Sequence, residues 1–140
     1  MRVFDNLIYN DDRHSGNMLM GADGNLWMID HTRAFQLHDE LRDPQLVTQL
    51  DRGLWQRLQD LSDETLAGAV EDLLPRRDVN AFLARRRRLV AHIRALIEER
   101  GEAAVLFEWP DAGLSDVPLP AVSARFRLRP GSRMAMRSAG

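Results

Sequence analysis

Three side chains in the first thirty residues are of types that handle metals and phosphate: Asp12, Asn17 and Asp30. Asp12 and Asn17 fall in the run Asn10-Asp11-Asp12-Arg13-His14-Ser15-Gly16-Asn17, and Asp30 closes Gly24-Asn25-Leu26-Trp27-Met28-Ile29-Asp30. Between them, Met18-Leu19-Met20 and Leu26-Trp27-Met28-Ile29 flank the polar stretch Gly21-Ala22-Asp23-Gly24-Asn25. An Asp-Gly step between two apolar runs predicts a β-hairpin, here with a loop of about five residues. Asn17 and Asp30 then stand at the outer ends of the two arms, beside each other. An amide oxygen with a carboxylate suits a hard cation such as Mg²⁺, which takes few protein ligands and keeps positions for phosphate oxygens. A carboxylate a few residues before the amide, Asp12, is placed to orient a nucleophile toward that phosphate.

The elements that must position this loop are mainly helical. Val3, Phe4, Leu7 and Ile8 recur at helical spacing, so a short helix over 2–10 leads into the loop. Three further helices are predicted. The first opens at Asp43-Pro44 and runs to about Asp60 on a stripe of Leu46, Leu50, Leu54 and Leu58, with Val47 and Leu61 close by. The second runs from a Ser62 cap to about Leu74, before Pro75. The third runs from about Asp78 to Arg100, stopped by Gly101, with Phe82, Leu83, Leu89, Val90, Ile93, Leu96 and Ile97 as its apolar stripe. The expected fold is therefore α+β, mainly α: a loop and small hairpin over 10–31 packed on about four helices, within a domain spanning 1–109. Prolines at 110, 118, 120 and 130 mark 110–140 as a flexible tail, carrying Arg125, Arg127, Arg129, Arg133 and Arg137.

Composition excludes several classes. With 140 residues and an apolar fraction of 44%, one ordinary domain is expected. The net charge of −2 argues against a polyanion binder. There is no cysteine, hence no disulfide, thiolate zinc site or thiol nucleophile. No apolar run suits a signal peptide or a membrane span, so a cytoplasmic location is expected. All 19 basic residues are arginine. A mechanism that places a lysine on a nucleotide phosphate cannot be completed within this chain.

Asp12-Arg13-His14-Ser15-Gly16-Asn17 resembles the D-R-H-x-x-N catalytic loop of the phosphatidylinositol 3-/4-kinase-like families. The stretch through Gly24 to Asp30 resembles the hairpin leading to their metal-binding aspartate. Leu7-Ile8-Tyr9-Asn10-Asp11-Asp12-Arg13-His14 also resembles the L-I-x-N-x-D-x-H-x-x-N run of HipA-type bacterial kinases. The resemblance covers about residues 3–35, roughly a quarter of the chain. It implies the C-terminal lobe of a protein-kinase-like fold and ATP- and Mg²⁺-dependent phosphoryl transfer in a bacterial cytoplasm. Asp12 would be the catalytic base, Asn17 a metal ligand and Asp30 the principal metal ligand. The phosphoryl acceptor is left open between a protein hydroxyl, a small molecule and a lipid headgroup. Two departures stand out. His31-Thr32 replaces the Phe-Gly that follows the metal aspartate in those lipid kinases, and only nine residues precede Asn10. The chain is accordingly expected to be a fragment lacking the nucleotide-binding N-terminal lobe.

Other readings compete at several positions. His14 and His31 are read as loop-orienting residues rather than transition-metal ligands, and Asp23-Gly24 as a turn rather than a calcium loop. Arg13 either braces the loop or pairs with a nearby acid. Arg85-Arg86-Arg87-Arg88 is read as a solvated face, with Glu71, Asp72, Glu98 and Glu99 available to pair with it, in preference to a nucleic-acid or membrane patch. The alternative to a kinase lobe is a non-catalytic remnant or helical partner-binding module; nucleic-acid binding through the arginine helix and tail is weaker still. Without a lysine or a preceding lobe, the 140-residue chain should bind ATP with a dissociation constant above about 1 mM. Micromolar binding by calorimetry would contradict this.

Overall fold

In a computed structural model that describes residues 1–22 and 24–108, the first helix, α1 (Arg2–Ile8), ends at Tyr9, whose φ of 51° is left-handed. The chain then enters the loop through Asn10, fully buried, whose N–H donates to the Asp5 carbonyl at 2.9 Å. A short 3-10 turn, Ser15–Asn17, leads into β1 (Met18–Met20). β1 pairs antiparallel with β2 (Leu26–Met28), Met18 opposite Met28 and Met20 opposite Leu26. The expected hairpin forms, and its ladder sets Asn17 beside Ile29, one residue before Asp30. Its apolar side chains do not pack down as expected, however: Leu19, Met20, Leu26 and Trp27 are 51%, 70%, 53% and 60% exposed.

From Ile29 to Gln49 the backbone has no regular element beyond one 3-10 turn, Pro44–Leu46. The single helix expected from Asp43 to Asp60 is therefore broken. Its second half is α2 (Arg52–Asp60), capped by Asp51 Oδ1, which accepts from the Leu54 N–H at 2.8 Å. Just before the cap, β3 (Leu50–Asp51) pairs in parallel with β4 (Leu106–Phe107). That pairing pulls Leu50 out of helical geometry, and Leu46 and Leu54 of the predicted stripe stay exposed while Val47, Trp55 and Leu58 are buried.

α3 (Asp63–Val70) starts at Ser62, whose hydroxyl accepts from the Thr65 N–H at 3.0 Å, and ends before the expected Leu74. α4 (Arg76–Arg100) stops where Gly101 takes φ 83°, a conformation that glycine adopts without the strain of a Cβ. A short α5 (Glu102–Val105) then delivers β4. The core joins Val3 of α1, Val47, Leu50, Trp55 and Leu58 to Leu89, Val90, Ile93 and Leu96 of α4, with Val105 and Leu106. The fold is α+β and mainly helical. No helix among the described residues is long and apolar enough to cross a membrane. The tail expected over 110–140 lies outside the described residues.

The arginine turn of α4 is only half a solvated face: Arg87 and Arg88 are exposed, whereas Arg85 and Arg86 turn inward. Arg85 is completely buried, its Nε donating to the Leu7 carbonyl at 2.9 Å and its Nη1 to the carbonyls of Gln36 (3.0 Å) and His38. Arg86 Nη2 donates to the Leu58, Gln59 and Leu61 carbonyls at the end of α2. Arg87 pairs with Asp63 and Arg88 with Asp39, rather than with the glutamates expected. Burial pushes the Arg85 guanidinium down to about 10, which leaves it charged at neutral pH. Arg85→Met should cost about 3 kcal/mol or more in urea unfolding, because the Leu7, Gln36 and His38 carbonyls lose their donor. Arg85→Lys should recover only part of that, since an ammonium cannot span the three acceptors.

Candidate functional site

Asn10 begins the site. Its Oδ1 accepts the Asp12 N–H at 3.2 Å, bending the chain so that Asp12 follows a tight side-chain-closed turn. Two residues on, His14 repeats the device: Nδ1 accepts the Gly16 N–H at 3.1 Å and caps the 3-10 turn. That bond assigns the proton to Nε2 in the neutral ring and gives His14 the loop-orienting role expected of it. A Cβ at Gly16 would lie 2.9 Å from His14 Cε1, so a larger residue there would displace the exposed ring from its capping position.

Asn17 is buried, and its side chain points back into the loop, with Nδ2 donating to the Asp12 carbonyl at 2.9 Å. Its own carbonyl accepts the Ile29 N–H at 3.0 Å, which carries the hairpin ladder one residue beyond Met18–Met28. Asp12, Asn17 and the residue before Asp30 are thus joined through two hydrogen bonds. Asp30 itself has φ 52°, left-handed for a non-glycine residue. It is held there by Thr32, whose Oγ1 and N–H donate to Asp30 Oδ1 at 2.6 and 3.3 Å. The Thr32 hydroxyl, then the Thr32 N–H, hold the exposed Asp30 carboxyl below its ordinary range, with smaller contributions from the neighbouring His14 and His31 side chains. His31 also packs edge-on against Phe4, ring centres 5.8 Å apart.

Arg13 takes both roles left open for it. Its Nε donates to Asp5 Oδ1 at 3.1 Å, and its Nη1 to the carbonyls of Asn17 and Ile29, each at 3.0 Å. One guanidinium therefore clips both arms of the hairpin to α1. Asp5 and Arg33 were not singled out by their types or spacing. Asp5 is an acid on the buried face of a helix, a signal that was available. Arg33 forms a two-point pair with Asp11, Nε to Oδ1 at 2.7 Å and Nη2 to Oδ2 at 2.9 Å. That pair, first of its causes, draws the Asp11 carboxyl below its ordinary value. Asp12 is half-buried and enters no ion pair among the described residues.

With Nδ2 committed to the Asp12 carbonyl, Oδ1 is the atom that Asn17 could offer a cation, and Oδ2 the one that Asp30 could offer. These are oxygen donors of the kind a small hard cation takes, although among the described residues no cluster of three or more His, Cys, Asp or Glu is placed to hold a metal. No family model matches the chain, nor does any curated protein or solved structure.

The Thr32–Asp30 bonds give a pH signature. A carboxyl with a depressed pKa contributes stability that is full above its ordinary pKa and lost as pH falls through the folded value. Thr32→Val should raise the Asp30 titration midpoint in carbon-detected NMR toward 3.8. The stability difference between the two proteins should vanish in acid below the midpoint of the unsubstituted chain.

Proposed function

We propose that this chain is the catalytic-loop lobe of an ATP- and Mg²⁺-dependent phosphotransferase of the protein-kinase-like superfamily. It would work with a nucleotide-binding lobe that supplies the basic phosphate contact absent here. The observation that carries the proposal is the unit Asp12–Asn17–Ile29: the Asn17 amide bonded to the Asp12 carbonyl, and the Asn17 carbonyl bonded to the residue before Asp30. It ties the backbone at the candidate base Asp12, and the backbone just before Asp30, to the candidate ligand Asn17.

Each residue then has a task. Asp12, left unpaired while Arg33 holds Asp11, accepts the proton of the acceptor hydroxyl and aims its oxygen. Asn17 Oδ1 and the Asp30 carboxylate would hold Mg²⁺, which when bound neutralises phosphate charge. Arg13 takes no part in the chemistry; turned inward, it fixes the distance between loop and hairpin. The left-handed backbone of Asp30 fits this role, since strained conformations concentrate where a side chain must be aimed. The acceptor is a protein hydroxyl, a small molecule or a lipid headgroup, the first two favoured.

A second reading, a non-catalytic module that binds a partner, is favoured by the exposed hairpin. Leu19, Met20, Leu26 and Trp27 form an uncovered apolar surface on a two-stranded sheet, which by itself is marginal in water. A nucleotide-binding lobe or an unrelated partner would cover it equally well, so the metal site decides between the readings.

Mn²⁺ added to the labelled chain should broaden the amide signals around Asn17 and Asp30 first. Asp30→Asn, which keeps a residue tolerant of positive φ, should weaken that binding at least about tenfold. Asp12→Asn should leave it unchanged. In a protein with the nucleotide-binding lobe joined, Asp12→Asn should instead lower kcat by about 10²–10⁴. Broadening centred elsewhere, or unaffected by Asp30→Asn, would leave the partner-binding module as the better reading.

A further inference from the structure

Beneath the loop, a cavity of about 10 Å³ is lined by Asp5, Asn10, Arg13 and Asp43 among others. Three of these residues each carry a buried side-chain atom with no hydrogen-bond partner: Asp5 Oδ2, Asn10 Nδ2 and Arg13 Nη2. These three residues are withdrawn from solvent, Asn10 being 0% exposed and the side chains of Arg13 and Asp5 2% and 9%. Each has its other polar atoms already engaged. Asn10 Oδ1 receives the Asp12 N–H, Arg13 uses Nε and Nη1 on Asp5 and two carbonyls, and Asp5 Oδ1 receives Arg13 Nε.

We infer that this cavity is the binding site of one resident water molecule, which forms part of the support under Asp12. The three orphan atoms are one acceptor and two donors. The lining sets Arg2, Arg13 and Arg42 against Asp5 and Asp43, so neither a cation nor an anion meets a wall of one opposite charge, and a neutral occupant fits best. A neutral molecule that donates once and accepts twice satisfies all three, and water keeps a second hydrogen for the Asp43 side of the cavity. The volume is near that needed for a single water, and buried waters make about three such bonds. In this arrangement no protein group meets the need. The Arg13 guanidinium is rigid and already fixed at three acceptors, and nothing in the loop offers Asn10 Nδ2 an acceptor. The water links the Asp5–Arg13 pair to Asn10, so that the residue closing the turn before Asp12 and the residue clipping the hairpin belong to one network. The inference holds whatever chemistry the loop performs.

Two measurements on the full 140-residue chain test it without a destabilising substitution. In solution, water-selective NOE and ROE spectra should give cross-peaks from water to the Asn10 side-chain amide and to Arg13, with the sign of a long-lived site rather than of exchanging surface solvent. At atomic resolution, a crystal structure should show one spherical peak about 2.7–3.2 Å from Asp5 Oδ2, Asn10 Nδ2 and Arg13 Nη2. The inference is overturned by absence of the long-lived water signals. It is equally overturned by a carboxylate rotated into a direct two-point pair with Arg13 that leaves no peak, or by a peak whose distances and scattering identify an ion.

Discussion

Arg85 is the interaction on which the remaining structure leans. It is a full positive charge with no exposed surface and no salt-bridge partner among the described residues, on the face of α4 that meets α1. Such a burial is tolerable only if carbonyl dipoles replace water around the guanidinium. Here they come from Leu7 in the last turn of α1 and from Gln36 and His38 in the irregular segment, while the Tyr9 ring, stacked on His38, lies 5.7 Å from Arg85 Cζ. Everything that carries the candidate site enters or leaves through these three points. The helix that delivers Asn10 ends at Arg85, and the chain that leaves Asp30 returns to it.

The same solution recurs, and it gives the arginine-only composition a structural meaning. The stretch from Ile29 to Gln49 has almost no ladder of its own, so its carbonyls, and those of the loop it embraces, need donors from side chains. Arg13 serves Asn17 and Ile29, Arg42 serves Asn10, and Arg86 closes the end of α2. A guanidinium offers five donors in a fixed plane and can bridge carbonyls of different segments; an ammonium is a point charge with a smaller reach. Whatever produced nineteen arginines and no lysine, the fold uses several of them as cross-links for backbone lacking regular partners.

What could be read from the sequence was what local chemistry decides. Asp-Gly between apolar runs gave the hairpin, Ser62 gave the start of α3, and Gly101 gave the end of α4. The lost helix over 43–51 fails for a nonlocal reason. Leu46, Leu50, Leu54 and Leu58 have ideal helical spacing, but Leu50 is claimed by Leu106, more than fifty residues away, and Asp51 starts the helix afresh. Arg85 and Arg86 mislead likewise, because consecutive like charges look solvated, as Arg87 and Arg88 are, until the carbonyls that meet them are known. At the site, the types and spacing of Asp12, Asn17 and Asp30 were visible. The inward clip by Arg13, the left-handed turn at Asp30 and the Asp11–Arg33 pair depend on chain segments that spacing alone does not bring together.

The charges around the loop sharpen what the proposed chemistry requires. Arg13 is turned into the protein and Arg33 is occupied by Asp11, so Asp12 and Asp30 enter no ion pair with an arginine among the described residues. Two unit charges about 4 Å apart in an effective dielectric of about 20 interact by about 4 kcal/mol, so a phosphoryl group arriving alone at these carboxylates is repelled. On the proposed reading, phosphate and dication must therefore arrive together, or the dication first. Asp30 is suited to that order, because the Thr32 bonds keep it ionised well into acid and its backbone turn holds it outward. Arg33 supplies a second device of the same kind. Its guanidinium side chain is 58% exposed, a pair of modest strength in water, yet it singles out one of two adjacent aspartates by neutralising the other. Asp12 is thus distinguished from Asp11 by what Arg33 occupies, rather than by any difference between the two side chains.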